Sequence, residues 1–205
     1  MAATEIFIYG ASGHGKVIAD IIRNCGYAIG GWIDDRPLGG VLSWDDFCAF
    51  HPAAAVALGI GDNTARARIF HKVVEAQHPL PALIHPSAVV SESAIIAKGS
   101  VVMPLAVINA DATIGQGTII NSGSIVEHDC VIDDFVHISP RTALAGGVKI
   151  GHGVHIGIGA TVIQNITIAE NSVVAAGSAV IYDIPPFSLA AGVPAIIKKS
   201  LYKPV

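Results

Sequence analysis

A step of six residues along the second half of this chain never leaves the aliphatics. It lands on Ile84, Val90, Ile96, Val102, Ile108, Ile114, Ile120, Val126, Ile132, Ile138, Leu144, Ile150, Ile156, Val162, Ile168, Val174 and Val180. Four places after each landing sits a small or β-branched residue or a cysteine, from Ala88, Ala94 and Ser100 through Cys130 and Val136 to Ser178. Three places after most of them sits Gly, Asn or Asp, as at Gly99, Asp111, Gly117, Asp129, Gly147, Asn165 and Gly177.

Period six does not fit the 3.6-residue helix, but it is even, so the first and fifth positions of each hexad share one face of an extended strand. That face buries the aliphatic residue and the small one. The Gly/Asn/Asp slot supplies residues that tolerate the left-handed backbone of a sharp corner. The pattern predicts short parallel strands with a corner every six residues. Stacked coils then bury a continuous aliphatic column, each Ile or Val contributing roughly 1.5–3 kcal/mol.

The chain has 205 residues, of which 52% are apolar. No run of about 18 apolar residues exists, which argues against a membrane span, and the N-terminus does not read as a signal peptide. A formal net charge of −4 and the lack of a basic run argue against nucleic acid as a partner. Three cysteines, Cys25, Cys48 and Cys130, fit no metal-ligand spacing and suit a reducing compartment. The expectation is a soluble, cytoplasmic protein. Cys130 falls in an inward slot and is expected in the core.

Residues 1–80 read as a small α/β domain and 81–205 as the coil with a C-terminal cap. A strand at Glu5–Tyr9 runs into Gly10-Ala11-Ser12-Gly13-His14-Gly15, then a helix that Gly26 stops. A second strand around Ile29–Ile33 ends in Asp34-Asp35. Ser43 and Asp46 are spaced as a capping box. A third strand at Ala54–Leu58 leads to Gly59-Ile60-Gly61-Asp62-Asn63 and a helix to about Gln77. Strand–helix alternation predicts a parallel sheet, and His78-Pro79-Leu80-Pro81 marks the boundary.

The glycine loop between strand and helix exposes backbone N–H groups and a positive helix terminus, which favour a phosphate. Its G-x-x-G-x-G spacing differs from the dinucleotide fingerprint, and a plain tight turn is the alternative. Asp34 and Asp35, about twenty residues on, fit a ribose or base contact; a solvated turn is their other reading. In the coil, His128 takes an outward corner position with Asp129 beside it, a pairing suited to an oriented general base. His137 and His155 lie one coil apart and should stack at about 4.8 Å. They read as a metal pair, a contact to an acyl donor, or solvated surface. His152 reads as a turn residue. Beyond Val180, Gly192-Val193-Pro194-Ala195 precedes Lys198 and Lys199.

The hexads resemble the hexapeptide-repeat acyltransferases, which implies a left-handed parallel β-helix of three hexads per turn, here roughly five coils. With the Gly-Ala-Ser-Gly-His-Gly loop, the Asp-Asp strand end, Gly61-Asp62-Asn63 and the His128-Asp129-Cys130 corner, the chain is similar to nucleotide-sugar N-acetyltransferases. These are the bacillosamine-pathway UDP-4-amino-sugar enzymes, with GDP-perosamine N-acetyltransferases and sialic acid O-acetyltransferases as relatives. The resemblance implies that Ser12, Gly13, His14, Asp34, Asp35 and Gly61 hold the nucleotide-sugar, and that His128 is general base with Asp129 in support. It further implies His137, Gly146, Ile158 and Ala176 beside acetyl-CoA between subunits of a homotrimer, with Ala176 standing where the family carries glycine. Lys198 and Lys199 are candidates for coenzyme phosphates or solvated tail charges. The expected chemistry is direct transfer to the 4-amino group of a UDP-linked sugar, without a metal. O-acetylation of sialic acid and GDP-perosamine N-acetylation are alternatives, and a metal-dependent β-helix hydratase is the rival from another class.

Overall fold

The computed structural model describes residues 5–36 and 39–202. Its N-terminal part alternates β1 (Glu5–Tyr9), α1 (Gly13–Asn24), β2 (Ala28–Ile33), α2 (Trp44–Phe50), β3 (Ala55–Leu58) and α3 (Asn63–Glu75). The three strands pair in parallel in the order β2-β1-β3. Both loops that follow the strands β1 and β3, and the Asp34–Asp35 end of β2, therefore open on the same sheet edge. Local signals hold: Ser43 Oγ accepts from the Asp46 N–H at 3.1 Å, and Gly26 carries φ 81° just past α1. The last helix stops at Glu75 rather than Gln77, which takes φ 62°.

From β4 (Leu83–Ile84) to β20 (Ala179–Val180) the chain makes two-residue strands in three parallel sheets. Each strand pairs with the one eighteen residues on, as Ile119 with His137 and His137 with His155. The second residue of nearly every strand is buried, and so are the small slots, including Cys130 at 0% exposure. A bridge from Ile168 to Ile184 continues the third sheet. The coil thus has about six turns rather than five: the first two sheets already hold six hexad strands each, Ile184 fills the sixth place of the third, and β21 (Ser188–Ala191) extends the coil past Val180. Strand β21 adds in parallel to the first sheet, and β22 (Ile196–Ser200) returns antiparallel, placing Ala190 and Ala195 in the coil's core.

From Gly99 onward the corner slot dictates backbone more strictly than side chain, whereas Ser87 and Ser93 hold it in the first turn without a left-handed φ. Leu105, Phe135 and Arg141 occupy it without being Gly, Asn or Asp, and all three take left-handed φ of 60°, 55° and 56°. Such a conformation costs a residue with a Cβ roughly 1–2 kcal/mol. At Phe135 the offset is visible: its ring is 2% exposed and packs edge-on against Phe70 of α3 at 5.2 Å.

The coil is a three-sided prism. Side 1 carries the strands at Leu83, Val101, Ile119, His137, His155 and Val173; side 2 those at Val89, Val107, Ile125, Ala143, Thr161 and Ala179; side 3 those at Ile95, Thr113, Val131, Lys149 and Thr167. The α/β part docks on side 1, where Ile6, Ile18 and Ile22 form one core with Leu83, Val101 and Ile119. It also grips the edge between sides 3 and 1 through Phe70 and Phe135.

Candidate active site

The glycine loop sorts into two kinds of glycine. A Cβ on Gly15 would collide with the Gly10 carbonyl oxygen, and one on Gly59 would lie 2.8 Å from it. Those residues are glycine so that two loops can touch. At Gly13 and Gly61 a Cβ would meet nothing within 4 Å, and neither residue is in the left-handed region. Neither protein packing nor backbone conformation calls for glycine at these two positions. Ser12 caps α1 with no side-chain capping bond, so its hydroxyl is uncommitted at the helix's positive end. Ser12 and Asp34 line a cleft of about 430 Å³ with Ala11, Arg36 and Val41.

The two aspartates part company. Asp34 faces this loop, its carboxylate accepting from the Ala11 and Arg36 N–H groups at 3.0 Å each. Asp35 instead accepts from the Tyr9 hydroxyl at 2.6 Å and from Arg68 at 2.8 Å, with Lys72 at 3.7 Å. Arg68 first, then Tyr9, holds its pKa below the usual carboxylate range. Both of its oxygens are engaged within the protein, so it braces the strand end on which Asp34 is presented.

His14 is half-buried, its Nε2 without a partner. Burial, then the Arg66 charge, pushes its pKa down to about 4. His137 and His155 do stack, with ring centroids 4.7 Å apart and planes at 19°. They are not solvated surface: the Gly61–Asn63 loop leans over them, and burial lowers both pKa values, His137 to about 3. Their Nε2 atoms meet Asn121 Nδ2 and Ser139 Oγ, each at 3.0 Å. Asn121 Oδ1 already accepts from the Ser122 N–H at 2.8 Å, so its amide donates to His137 Nε2 and the imidazole proton sits on Nδ1. That Nδ1–H lies near the Gly61 carbonyl but outside hydrogen-bond geometry, buried and unpartnered. Among the described residues no group of three His, Cys, Asp or Glu could hold a metal ion, and parallel stacked rings do not converge their lone pairs on one point. Among the described residues of the chain, no third ligand accompanies the His137–His155 pair.

His128 lies elsewhere. It sits with Asp129 on the edge between sides 2 and 3, across the prism from side 1 and the docked α/β part. Asp129 takes the corner's left-handed φ of 59° and accepts from His128 Nδ1 at 2.7 Å. A carboxylate only accepts, so Nδ1 carries the proton and Nε2 holds the free lone pair. The hydrogen bond to Asp129 raises the imidazole's pKa above 6.5. Gly146, eighteen residues on, lies one coil above, where a Cβ would fall 2.6 Å from His128 Nε2 and Cε1. Glycine there is what lets the ring lie along the coil. Ile158 and Ala176 are exposed and stacked in successive coils, but on the edge between sides 1 and 2.

The candidate residues therefore form two groups on one chain. Ser12, Gly13, His14, Asp34, Gly61, His137, Ile158 and Ala176 belong to side 1 and its border with side 2; His128, Asp129 and Gly146 belong to the far border of side 2. Sequence reasoning missed Asn121, which fixes the His137 tautomer, and Arg66, buried at 1% exposure between the two parts of the chain. Lys198 and Lys199 lie exposed on β22.

Residues 5–73 match the family model described as the PglD N-terminal domain. The whole chain is similar to PerB from Caulobacter crescentus, solved with CoA and GDP-perosamine, at 38% identity and a TM-score of 0.91, covering 97% of this chain and 99% of that one. It is similar to the acetyltransferase domain of PglB from Neisseria gonorrhoeae at 36% identity and a TM-score of 0.88, covering 94% and 98%. WeeI from Acinetobacter baumannii matches at 28% identity and a TM-score of 0.86, covering 95% and 100%. With the hexad coil, the glycine loop and the His128–Asp129 corner in place, this chain belongs to the hexapeptide-repeat nucleotide-sugar N-acetyltransferases.

Proposed function

We propose that this chain moves the acetyl group of acetyl-CoA onto the amine of a nucleotide-linked amino sugar, at a site shared by two copies, with His128 as general base. The observation that carries this is the His128 imidazole, oriented by Asp129 with its Nε2 lone pair free above Gly146. The neutral sugar amine attacks the thioester carbonyl, forming the C–N bond. Nε2 takes the proton the nitrogen sheds, and the tetrahedral intermediate collapses with cleavage of the C–S bond. The departing thiolate is protonated by the imidazolium, which restores the base. An acyl-enzyme on Cys130 is disfavoured, because that thiol is buried, donates to the Ala145 carbonyl at 3.3 Å, and has its pKa raised by burial.

The nucleotide would lie over Ser12, Gly13 and Gly61 with Asp34 toward its ribose or base, and the coenzyme along His137, Ile158 and Ala176. His128 reaches such an assembly only from a second chain whose 2/3 edge meets the first chain's 1/2 edge. Those two edges flank side 2, which presents Val89, Val107, Ile125, Ala143 and Ala179 outward. A head-to-tail contact of unlike edges makes a ring when its rotation closes, and the homotrimer that the family resemblance implies fits a ring with side 2 toward its axis.

The sequence put a UDP-4-amino sugar first; the likeness to PerB puts GDP-perosamine ahead of it. The test is thiol release from acetyl-CoA with GDP- and UDP-linked amino sugars and with sialic acid, for the native chain and His128→Ala. Turnover with one nucleotide-sugar, abolished in the variant, is the expected result. Turnover with sialic acid alone would overturn the acceptor, and an unimpaired variant would overturn the base.

A further inference from the structure

Arg66 joins the two parts of the chain in a way that neither hydrophobic core explains. Its Nε donates to the Gly117 carbonyl at 2.6 Å, and its Nη1 to the Ile60 and Gly61 carbonyls at 3.2 and 2.9 Å. Its Nη2 donates to Asn63 Oδ1, Phe135 O and Val136 O at 2.8, 3.1 and 3.2 Å. Every partner is an uncharged oxygen. An ammonium or a smaller amide could not serve them all, because only the guanidinium carries five N–H groups in a rigid fork. Asn63 completes the set by donating to the Gly153 and Val154 carbonyls at 2.9 and 3.1 Å.

The acceptors on the coil repeat at the coil's own period: Gly117, Phe135 and Gly153 are the same corner slot in three successive turns. An aliphatic face sliding along a regular coil meets an equivalent surface every turn, so apolar docking alone sets axial position weakly. A buried guanidinium holding the Gly117, Phe135 and Val136 carbonyls, with Asn63 on Gly153, sets it strongly, because a slide of even part of a turn that an apolar face would absorb leaves buried N–H groups unpaired. The residues held on the other side are Ile60, Gly61 and Asn63, and the corner gripped at Phe135–Val136 runs directly into His137.

We infer that Arg66, with Asn63, is a positioning residue that registers the α/β part on the coil, fixing the nucleotide loop at Gly61 against the coil turn that carries His137. It touches neither reactant; it sets how far the sugar amine lies from the thioester. The turnover arm of its test rests on the function proposed above, and the second arm does not.

The test compares the native chain with Arg66→Lys, which keeps the charge but loses the fork, and with Asn63→Ala, the milder variant. In Arg66→Lys, kcat for transfer should fall roughly a hundredfold at saturation, as expected for misplacement of about 1 Å. GDP and CoA, each titrated alone into the variant, should bind within about threefold of native, because each contacts one part of the chain. Amide hydrogen exchange should quicken about tenfold in 59–64 and 134–138 together, with β1 and the coil beyond 155 unchanged. Asn63→Ala should move the same readouts in the same direction by less. A role limited to stability would lower the melting temperature and leave kcat per folded molecule at the native value, which would overturn the inference. Exchange that quickens in 59–64 alone would overturn it too. If Arg66→Lys does not fold, Asn63→Ala decides: unchanged kcat and unchanged exchange in 134–138 sink the idea. Should the native chain acetylate no nucleotide-sugar, the proposed function falls, and paired exchange in the two segments still decides the role of Arg66.

Discussion

The two parts of this chain announce their functional residues in opposite ways. In the coil, the aliphatic, small and corner slots have default occupants, so their residues are explained by the repeat and a departure such as Phe135, where glycine is usual, carries information; His128 and Gly146 share an outward slot that varies freely, so the core explains neither. In the α/β part no slot repeats, and a glycine or an aspartate has no default to be measured against. There, function emerges only after packing has been subtracted. Gly15 and Gly59 are accounted for by the contact of two loops, while Gly13 and Gly61 are left over. Asp35 is tied to side chains of the protein at Tyr9, Arg68 and Lys72, while Asp34 accepts only backbone N–H groups and lines the cleft beside the loop.

The largest effect should come from the coil's outward slot at His128. His128→Ala removes the proton acceptor and is expected to cut kcat by about 10²–10⁴-fold, with the melting temperature unchanged because the side chain is exposed. The shared site sharpens this. Mixing His128→Ala with a chain disabled at Gly13, then dissociating and reassembling them, should restore a fraction of native turnover, since some sites then join a native loop to a native His128. Absence of recovery in verified mixed oligomers would place both half-sites' partners on one chain and break the partition between the prism's edges.

Gly146→Ala should follow, at about a hundredfold loss in kcat. The new Cβ occupies the space of Nε2 and Cε1, so the ring must turn and give up its 2.7 Å bond to Asp129. Gly146 is not in the left-handed region. Its replacement should therefore leave stability alone or raise it by about 0.4–1 kcal/mol through the unfolded chain. Lost turnover without lost stability, read by kinetics beside thermal melting, distinguishes a site glycine from a corner glycine.

The same contrast can be made inside the glycine loop, with smaller effects. Gly15→Ala drives a Cβ into the Gly10 carbonyl and should destabilise the fold by about 1–3 kcal/mol. Gly13→Ala meets open space and should not destabilise it, yet should weaken GDP or UDP binding by about tenfold, the equivalent of one lost backbone contact. Melting curves and calorimetric titrations separate the two. If Gly13→Ala binds the nucleotide normally, the division of glycines into packing and ligand classes fails.

How much of this was readable beforehand follows from periodicity. The hexads specified the coil, its buried column and the outward corner of His128, and steps of eighteen already place His128 and Gly146 on one edge and His137 and His155 on a side. The turn count came out one short, although seventeen hexad strands at three per turn already make nearly six turns and Ile184 completes the sixth. Arg66 was illegible. Arg66 and Arg68 sit two residues apart in α3, and only the docked surface decides that one is buried among carbonyls while the other bridges to Asp35. Phe135 departs from the corner slot's usual residues, and only the docked surface shows why: its ring is the plug that α3 packs on. The burial of His137 and His155 was likewise invisible, because the Gly61–Asn63 loop that covers them lies far earlier in the chain.

The smallest effect tests the pairing that orients the base. Asp129→Asn keeps the chain's ability to take the left-handed corner, since asparagine tolerates it as aspartate does, and the amide oxygen can still accept from Nδ1–H. What goes is the negative charge. The hydrogen bond to Asp129 holds the His128 pKa above 6.5, so the native base is lost to protonation as pH falls through that raised value. In the variant the midpoint should drop toward the ordinary value, and the acid limb of kcat/KM should move to lower pH. Above both midpoints the variant should be slower, because a less basic imidazole is a weaker proton acceptor; below them the disadvantage should shrink, because more of it remains unprotonated. A uniform loss at every pH, with the limb in place, would mean that Asp129 holds the ring's direction alone. The corner slot's ordinary preference for Gly, Asn or Asp would then explain the residue, and His128 alone would set the basicity at this edge.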